Sequence, residues 1–231
     1  LYILRRPPGP PVPTEAIQND YLGHFPFRGK RVLDVGTASG FLTFEIEKHG
    51  GTVVSFDIAD GRRYDLVPFH RSLDHREHML DGIAYGMNRC KNAYWFAHRA
   101  LGSKATAFYG DVYRLPPDLG RFDVVVLGQI LVHLRDPFAA LAAAGELSDD
   151  AIIVIEAVVE DRRPIALLHP STDAGGPPHS WWRWSMELYR HAFGILGFQL
   201  DSFRKKKHLC VASGKPEWVQ LATLVGRRRS G

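Results

Sequence analysis

"RVLDVGTASGF" (residues 31–41) runs apolar residues flanking one carboxylate straight into a loop built of glycine and other small side chains. A strand that delivers into Gly36-Thr37-Ala38-Ser39-Gly40 and then into a helix makes a tight turn whose backbone a ligand can touch. A nucleotide-type ligand is the default occupant. The dinucleotide fingerprint G-x-G-x-x-G would need glycine at positions 36, 38 and 41, where this chain has Gly36, Ala38 and Phe41, so NAD is disfavoured. The phosphate-cradling pattern G-x-x-x-x-G-K-[ST] is absent too, because no lysine follows Gly40. The loop therefore wants a ligand without phosphates.

Two later carboxylates describe that ligand. Asp57 ends the next apolar run, "TVVSFD" (52–57), where an acceptor pair takes both hydroxyls of a ribose. Asp111 in "GDVYRLP" (110–116) closes a third run and is placed to accept a hydrogen bond from an exocyclic amine such as that of adenine. An adenosine lacking phosphates is what remains.

From Lys30 onward, short apolar runs alternate with helix-like segments, the mark of an α/β sheet covered on both faces. The reading places strands at 31–35, 52–57, 105–110, 122–128, 151–158, 198–205 and 208–214, and helices at 41–50, 88–102, 136–148 and 184–197. The third to fifth strands read as buried on both faces. The last two, separated only by a basic turn, read as a hairpin, so the final strand should run antiparallel. The expected fold is α/β and Rossmann-like, a seven-stranded, mostly parallel sheet with an antiparallel last strand and helices on both faces. Residues 1–28, with "PPGPPVP" (7–13), read as a proline-rich arm with a short helix begun near Thr14, capping a domain that spans 29–231. Two long excursions, 58–87 and 159–183, carry aromatics and histidines and read as walls of a substrate pocket.

With these motifs in place, the chain resembles class I S-adenosylmethionine-dependent methyltransferases. The family's first motif, D/E-x-G-x-G-x-G, stands here as Asp34, Gly36, Ala38 and Gly40, with Ala38 departing from it. Its acidic residue after the second strand matches Asp57, its Asp before the fourth strand matches Asp111, and its fourth-strand segment matches "FDVVVLGQILVHLRDP" (122–137). The resemblance implies that Asp34, Gly36, Thr37, Ala38 and Gly40 form the methionine and ribose end of the cofactor site. It places Asp57 and Ile58 at the ribose and adenine edge, Asp111 and Val112 at the adenine, and Gly128 and Gln129 beneath the sulfonium. S-adenosylmethionine is the implied cofactor, leaving as S-adenosylhomocysteine. The "LVHLRDP" segment also shares an outline with tRNA wobble-uridine carboxymethyltransferases, although Val132 stands where that family tends to have a tyrosine.

The acceptor is less constrained, because methyl transfer rests largely on positioning and needs a base mainly for hydroxyl acceptors. "GQILVH" lacks the [DN]-P-P-[YF] motif of amino-group DNA and protein methyltransferases, and no Pro-Cys nucleophile occurs. His133, after the fourth strand, is the candidate base or substrate contact. His70 in the first excursion is a candidate substrate contact. Trp181 and Trp182 in "HSWWRW" (179–184) either stack on a planar or sugar substrate or pack the last helix on the sheet. His75 and His78 stand at helical spacing among acidic residues, which reads as a solvated helix face, and no metal site is expected.

The formal charge of +4 is mild and concentrated in "RKKK" (204–207) and "RRR" (227–229), read as solvated faces or tails. Cys90 and Cys210 are the two cysteines, without CxxC spacing, and read as small buried side chains. No apolar run is long enough for a bilayer, and the first residues lack the apolar core of a secretory signal, so a cytoplasmic protein is expected. The leading expectation is an enzyme that methylates an oxygen or nitrogen of a small molecule, sugar-like or natural-product-like. An RNA methyltransferase is the alternative, and a non-catalytic binder of the cofactor is the alternative of another class.

Overall fold

The computed structural model describes residues 3–4, 20–68, 73–170, 179–212 and 215–229. Five parallel strands form its centre: β2 (Arg31–Val35), β3 (Thr52–Ile58), β4 (Thr106–Gly110), β5 (Phe122–Gly128) and β6 (Ser148–Glu156). Two long strands, β9 (Phe198–Ala212) and β10 (Lys215–Arg228), complete the main sheet, with a two-residue strand, β1 (Ile3–Leu4), against the far end of β9. The order across the sheet is β1-β9-β10-β6-β5-β2-β3-β4. β10 runs antiparallel to both its neighbours, so the mostly parallel sheet with an antiparallel last strand is present.

Helices cover both faces. α1 (Phe41–Lys48) lies on one face, and the far half of α2 (Leu73–Leu101) reaches the same side through Tyr94, whose hydroxyl is 3.0 Å from that of Ser55 on β3. α3 (Pro137–Leu147) and α4 (Met186–Ile195) pack on the other, where Leu141, Tyr189 and Phe193 join Leu33, Val125, Ile152 and Leu224. The first face is closed by the segment before β2, where Tyr21, Leu22, Phe25 and Phe27 bury against Val32, Ile46, Val124 and Ile153. Burying each such side chain stabilises the fold by about 1.5–3 kcal/mol, so this stretch docks as part of the domain. The helix expected near Thr14 lies outside the described residues.

Several boundaries differ from the sequence reading. The helix expected at 88–102 begins at Leu73, so half of the first excursion is the leading end of one 29-residue helix. His75, Arg76, Glu77 and His78 in that leading part are exposed, so no apolar stripe announces it. The strands expected at 198–205 and 208–214 are one continuous β9, and the antiparallel last strand is β10, whose "LATLV" (221–225) is buried between β6 and β9. β9 lies toward the edge of the sheet, where alternating basic side chains reach solvent without breaking the ladder. The "RRR" run is accordingly a strand end: Arg227 pairs with Asp150 at 2.7 Å, and Arg228 donates to the carbonyls of Gly145 and Ser148.

β4, read as a strand buried on both faces, is instead the edge strand, with Phe108 42% and Tyr109 36% exposed. The second excursion carries a small antiparallel pair, β7 (Ala166–Leu168) with β8 (Trp182–Trp184). Cys90 is buried as expected; the side chain of Cys210 lies outside the description. Among the described residues no helix is long and apolar enough to cross a membrane.

Candidate active site

Because β2 to β6 are parallel, the loops that follow them meet along one edge of the sheet, the usual ligand position in such folds. The loop after β2 is sharply coiled. Gly36 (φ 79°), Ala38 (φ 50°) and Gly40 (φ 87°) occupy the left-handed region, and the N–H groups of Gly36 and Thr37 both donate to the Phe56 carbonyl of β3. Ala38 pays about 1–2 kcal/mol for that conformation, and something must hold it there. The holder is Asp57. Its Oδ2 accepts the Ala38 N–H at 2.7 Å and its Oδ1 accepts the Ile58 N–H at 2.7 Å.

The smallness of the loop answers to the protein as well as to a ligand. A Cβ on Gly36 would lie 2.7 Å from Ile130 Cδ1, one on Gly40 would run into the Phe44 ring, and one on Gly128 would lie 2.5 Å from Leu42 Cδ1.

Asp34 sits beneath the loop with no exposed surface. Thr43 donates its hydroxyl to Asp34 Oδ2 at 2.7 Å and is itself bonded to the hydroxyls of Thr37 and Ser55, at 2.8 and 2.7 Å. Among the described residues Asp34 Oδ1 has no hydrogen-bond partner. Burial pushes the Asp34 carboxyl up from 3.8 to about 6, against the lowering effect of its hydroxyl partners. The folded protein therefore holds this proton to higher pH than the unfolded chain does. Stability conferred at this position falls as pH rises from about 4 to about 6, by about 3 kcal/mol at one pKa unit per 1.36 kcal/mol. The stability of Asp34→Asn relative to the parent should improve by that amount between pH 4 and pH 7 in paired thermal melts. A difference that does not vary with pH would contradict the assignment.

Asp111 is exposed and accepts the Tyr113 N–H at 3.0 Å, an Asx turn that leaves its second oxygen to other donors, while Val112 packs on the core below. On the opposite side of the edge, Gln129 (φ 53°) donates through Nε2 to the Tyr21 hydroxyl at 2.8 Å, tying the N-terminal segment to the loop after β5. Tyr21 also meets Phe41 and His208 edge-on.

His133 ends a short 3-10 turn, Leu131–His133. Its Nδ1 lies 2.6 Å from the His179 carbonyl, which can only accept, so Nδ1 carries the proton and Nε2 is the basic nitrogen. Burial, with His179 and His169 nearby, lowers its pKa from 6.5 to about 4, so the ring is neutral at physiological pH. Tyr64 faces it at 6.1 Å between ring centroids, and the nearby carboxylates Asp57 and Asp65 add to burial in keeping the Tyr64 phenol protonated.

Trp181 is buried, with its indole N–H on the Asp65 carbonyl (2.8 Å), and Trp182 donates to the Arg135 carbonyl (2.9 Å). Both indole N–H groups thus hold loops together in this conformation. Asp65 is the centre of that clamp: its carboxylate also accepts the Tyr113 phenol and the Arg135 N–H. Three loops of the sheet edge and the second excursion converge on this one residue. His70 lies outside the described residues. His75 and His78 are exposed, and Arg62 pairs with Glu77 and Asp81 on the same helix. Among the described residues no cluster fit to hold a metal ion is found.

Tyr21, Tyr64, Asp65 and Glu156 were not singled out from the sequence. Only Glu156 left a local signal, a lone carboxyl closing the apolar run of β6.

Solved structures with the same fold include a magnesium protoporphyrin IX methyltransferase from Synechocystis with bound S-adenosylhomocysteine. It is 16% identical, with a TM-score of 0.57 over 93% of this chain and 81% of that one. A 1,6-didemethyltoxoflavin-N1-methyltransferase from Burkholderia thailandensis, solved with its substrate and S-adenosylhomocysteine, is 15% identical, with a TM-score of 0.58 over 94% of this chain and 77% of that one. An SAM-dependent methyltransferase from Methanosarcina mazei is 13% identical, with a TM-score of 0.58 over 89% and 95%. No curated protein matches the chain by sequence. The model of the methyltransferase domain family matches residues 16–209, from before the docked Tyr21 segment to within β9, and the chain belongs to that family.

Proposed function

We propose that the protein transfers a methyl group from S-adenosylmethionine to an oxygen or nitrogen of a small molecule, sugar-like or natural-product-like. The carrying observation is Asp57. Each of its oxygens is bonded to one backbone N–H, leaving a lone pair on each for a ribose diol, while its hold on Ala38 keeps the loop in the shape that receives the rest of the donor. Gly36, Thr37 and Gly40 would line the methionine end, with Asp34 supporting them from below. Ile58 and Val112 would border the adenine, and Asp111 would accept its amine. Gly128 and Gln129 would underlie the sulfonium.

S-adenosylmethionine supplies an electrophilic methyl carbon when bound. The acceptor's lone pair forms the new bond as the carbon–sulfur bond breaks, with the electron pair leaving on sulfur, and the acceptor's proton passes to His133 Nε2. A base with a pKa near 4 suffices there, because a hydroxyl becomes strongly acidic as its oxygen is alkylated. The docked segment before β2 and the excursions at 58–87 and 159–183 would enclose the acceptor.

A small acceptor is favoured over RNA by the state of the basic runs. Lys205 pairs with Glu160, Lys206 with Asp20 at 3.0 Å, and Arg227 with Asp150, so carboxylates of the protein itself offset part of the charge that a phosphate backbone would engage. Calorimetry with S-adenosylmethionine and S-adenosylhomocysteine should give saturable binding of both. No binding of either at millimolar concentration would sink the proposal. Transfer of a labelled methyl group to a panel of acceptors then separates the alternatives: donor binding without any transfer points to a non-catalytic binder, and salt-sensitive labelling of RNA to a nucleic-acid enzyme.

A further inference from the structure

Glu156 closes β6 after five consecutive apolar residues, Ala151 to Ile155, and is only 3% exposed. A carboxyl in such a place is costly unless polar groups meet it. The groups that meet it belong to the next loop. Its Oε1 accepts the Val132 N–H at 3.3 Å, and the N–H groups of Leu131 and Ala157 also face it. Tyr189 of α4 and Arg183 of β8 lie near enough to interact with it electrostatically.

The turn Leu131–His133 needs this help. It is a single turn of three residues, and it starts at Ile130, whose side chain cannot cap it. Its internal bonds are the two from His133 and Leu134 back to Ile130 and Leu131, at 2.9 and 3.2 Å. Everything else that fixes it comes from outside. Both backbone groups of Val132 are held, its N–H by Glu156 and its carbonyl by the backbone N–H of Trp181 at 2.7 Å. The next residue is His133.

We propose that Glu156 is a positioning residue for methyl transfer: its carboxyl caps the Leu131–His133 turn from the neighbouring strand and sets where His133 stands over the sheet edge. The catalytic consequence rests on the reading of His133 as the acceptor's base; the capping itself does not.

The test compares Glu156→Gln, which keeps an acceptor oxygen at the same reach, with Glu156→Ala, which removes it. Two quantities are read: kcat and KM for S-adenosylmethionine, and the titration of the His133 ring by NMR. Glu156→Ala should lower kcat by about 10- to 100-fold, the usual penalty for a catalytic group displaced by about 1 Å, with the donor KM nearly unchanged. Its His133 should titrate above about 4, toward the ordinary value, as the loosened turn admits water. Glu156→Gln should restore both. If Glu156→Ala is too unstable to assay, Glu156→Asp, one methylene shorter, reads the same quantities.

Parent-like kcat and parent-like His133 titration in the truncated variants would overturn the proposal, as would a glutamine variant as impaired as the alanine one. A shifted His133 titration with unchanged kcat would uphold the capping and remove His133 from the reaction.

Discussion

Replacing His133 by glutamine should lower kcat by about 10²- to 10⁴-fold, the range general-base catalysis supplies, while the dissociation constant of S-adenosylhomocysteine stays within a few-fold of the parent's. Glutamine preserves a donor for the His179 carbonyl but has no nitrogen that takes a proton. The effect should therefore fall on the chemical step and spare donor binding. The pH profile gives the sign. In the parent, burial keeps the ring neutral down to about pH 4, so activity is present above that value and is lost as pH falls through it. The variant should lack that acidic limb of kcat/KM. An acceptor that ionises or sheds its proton without help would show as a variant with parent-like kcat, and His133 would then be a wall of the pocket.

Such a test is needed because the sequence marks the residues proposed to hold the donor far more clearly than those proposed to meet the acceptor. Asp34, Asp57 and Asp111 each follow or close an apolar run, and parallel strands deliver such residues to one edge by topology alone. The side proposed for the acceptor rests on distant contacts. Trp181 meets Asp65 and Glu156 reaches Val132, pairings that no local pattern foretells. The glycine loop was legible as a close approach, but what approaches was only half legible, since Ile130 and Phe44 press on Gly36 and Gly40 from within the protein.

The same division runs through the fold. β2, β3, β5 and β6 were readable because strands flanked on both sides are uniformly apolar. The sequence divides β9 in two because "RKKK" resembles a turn, although in an outer strand Arg204 and Lys206 project from one face and Lys205 and Lys207 from the other. The strand that inserts between β6 and β9 carries little signal of its own because "LATLV" stands one glycine before a run of arginines. Arg227 is satisfied by Asp150 and Arg228 by the carbonyls at the end of α3, a pairing across about eighty residues that no local pattern foretells.

Asp57→Ala should weaken binding of S-adenosylhomocysteine by about 10²- to 10³-fold. Two charge-assisted hydrogen bonds to a ribose diol are worth about 1.5–3 kcal/mol each, and a loss of about 3–4 kcal/mol corresponds to that range of affinity. A second loss arises in the loop itself, because Ala38 gives up the carboxylate that holds its left-handed conformation. The two are separable with a ligand lacking the ribose 2′-hydroxyl. The parent should bind the deoxy analogue more weakly than the parent ligand, whereas the variant should barely distinguish them. If loop collapse alone were responsible, both proteins would discriminate equally. Global stability should change little, since burial already raises the Asp57 pKa and its charged form is costly in the fold, which offsets the backbone bonds it makes. A folded Asp57→Ala protein that binds S-adenosylhomocysteine as the parent does would remove Asp57 from the ribose site, and with it the observation on which the donor assignment stands.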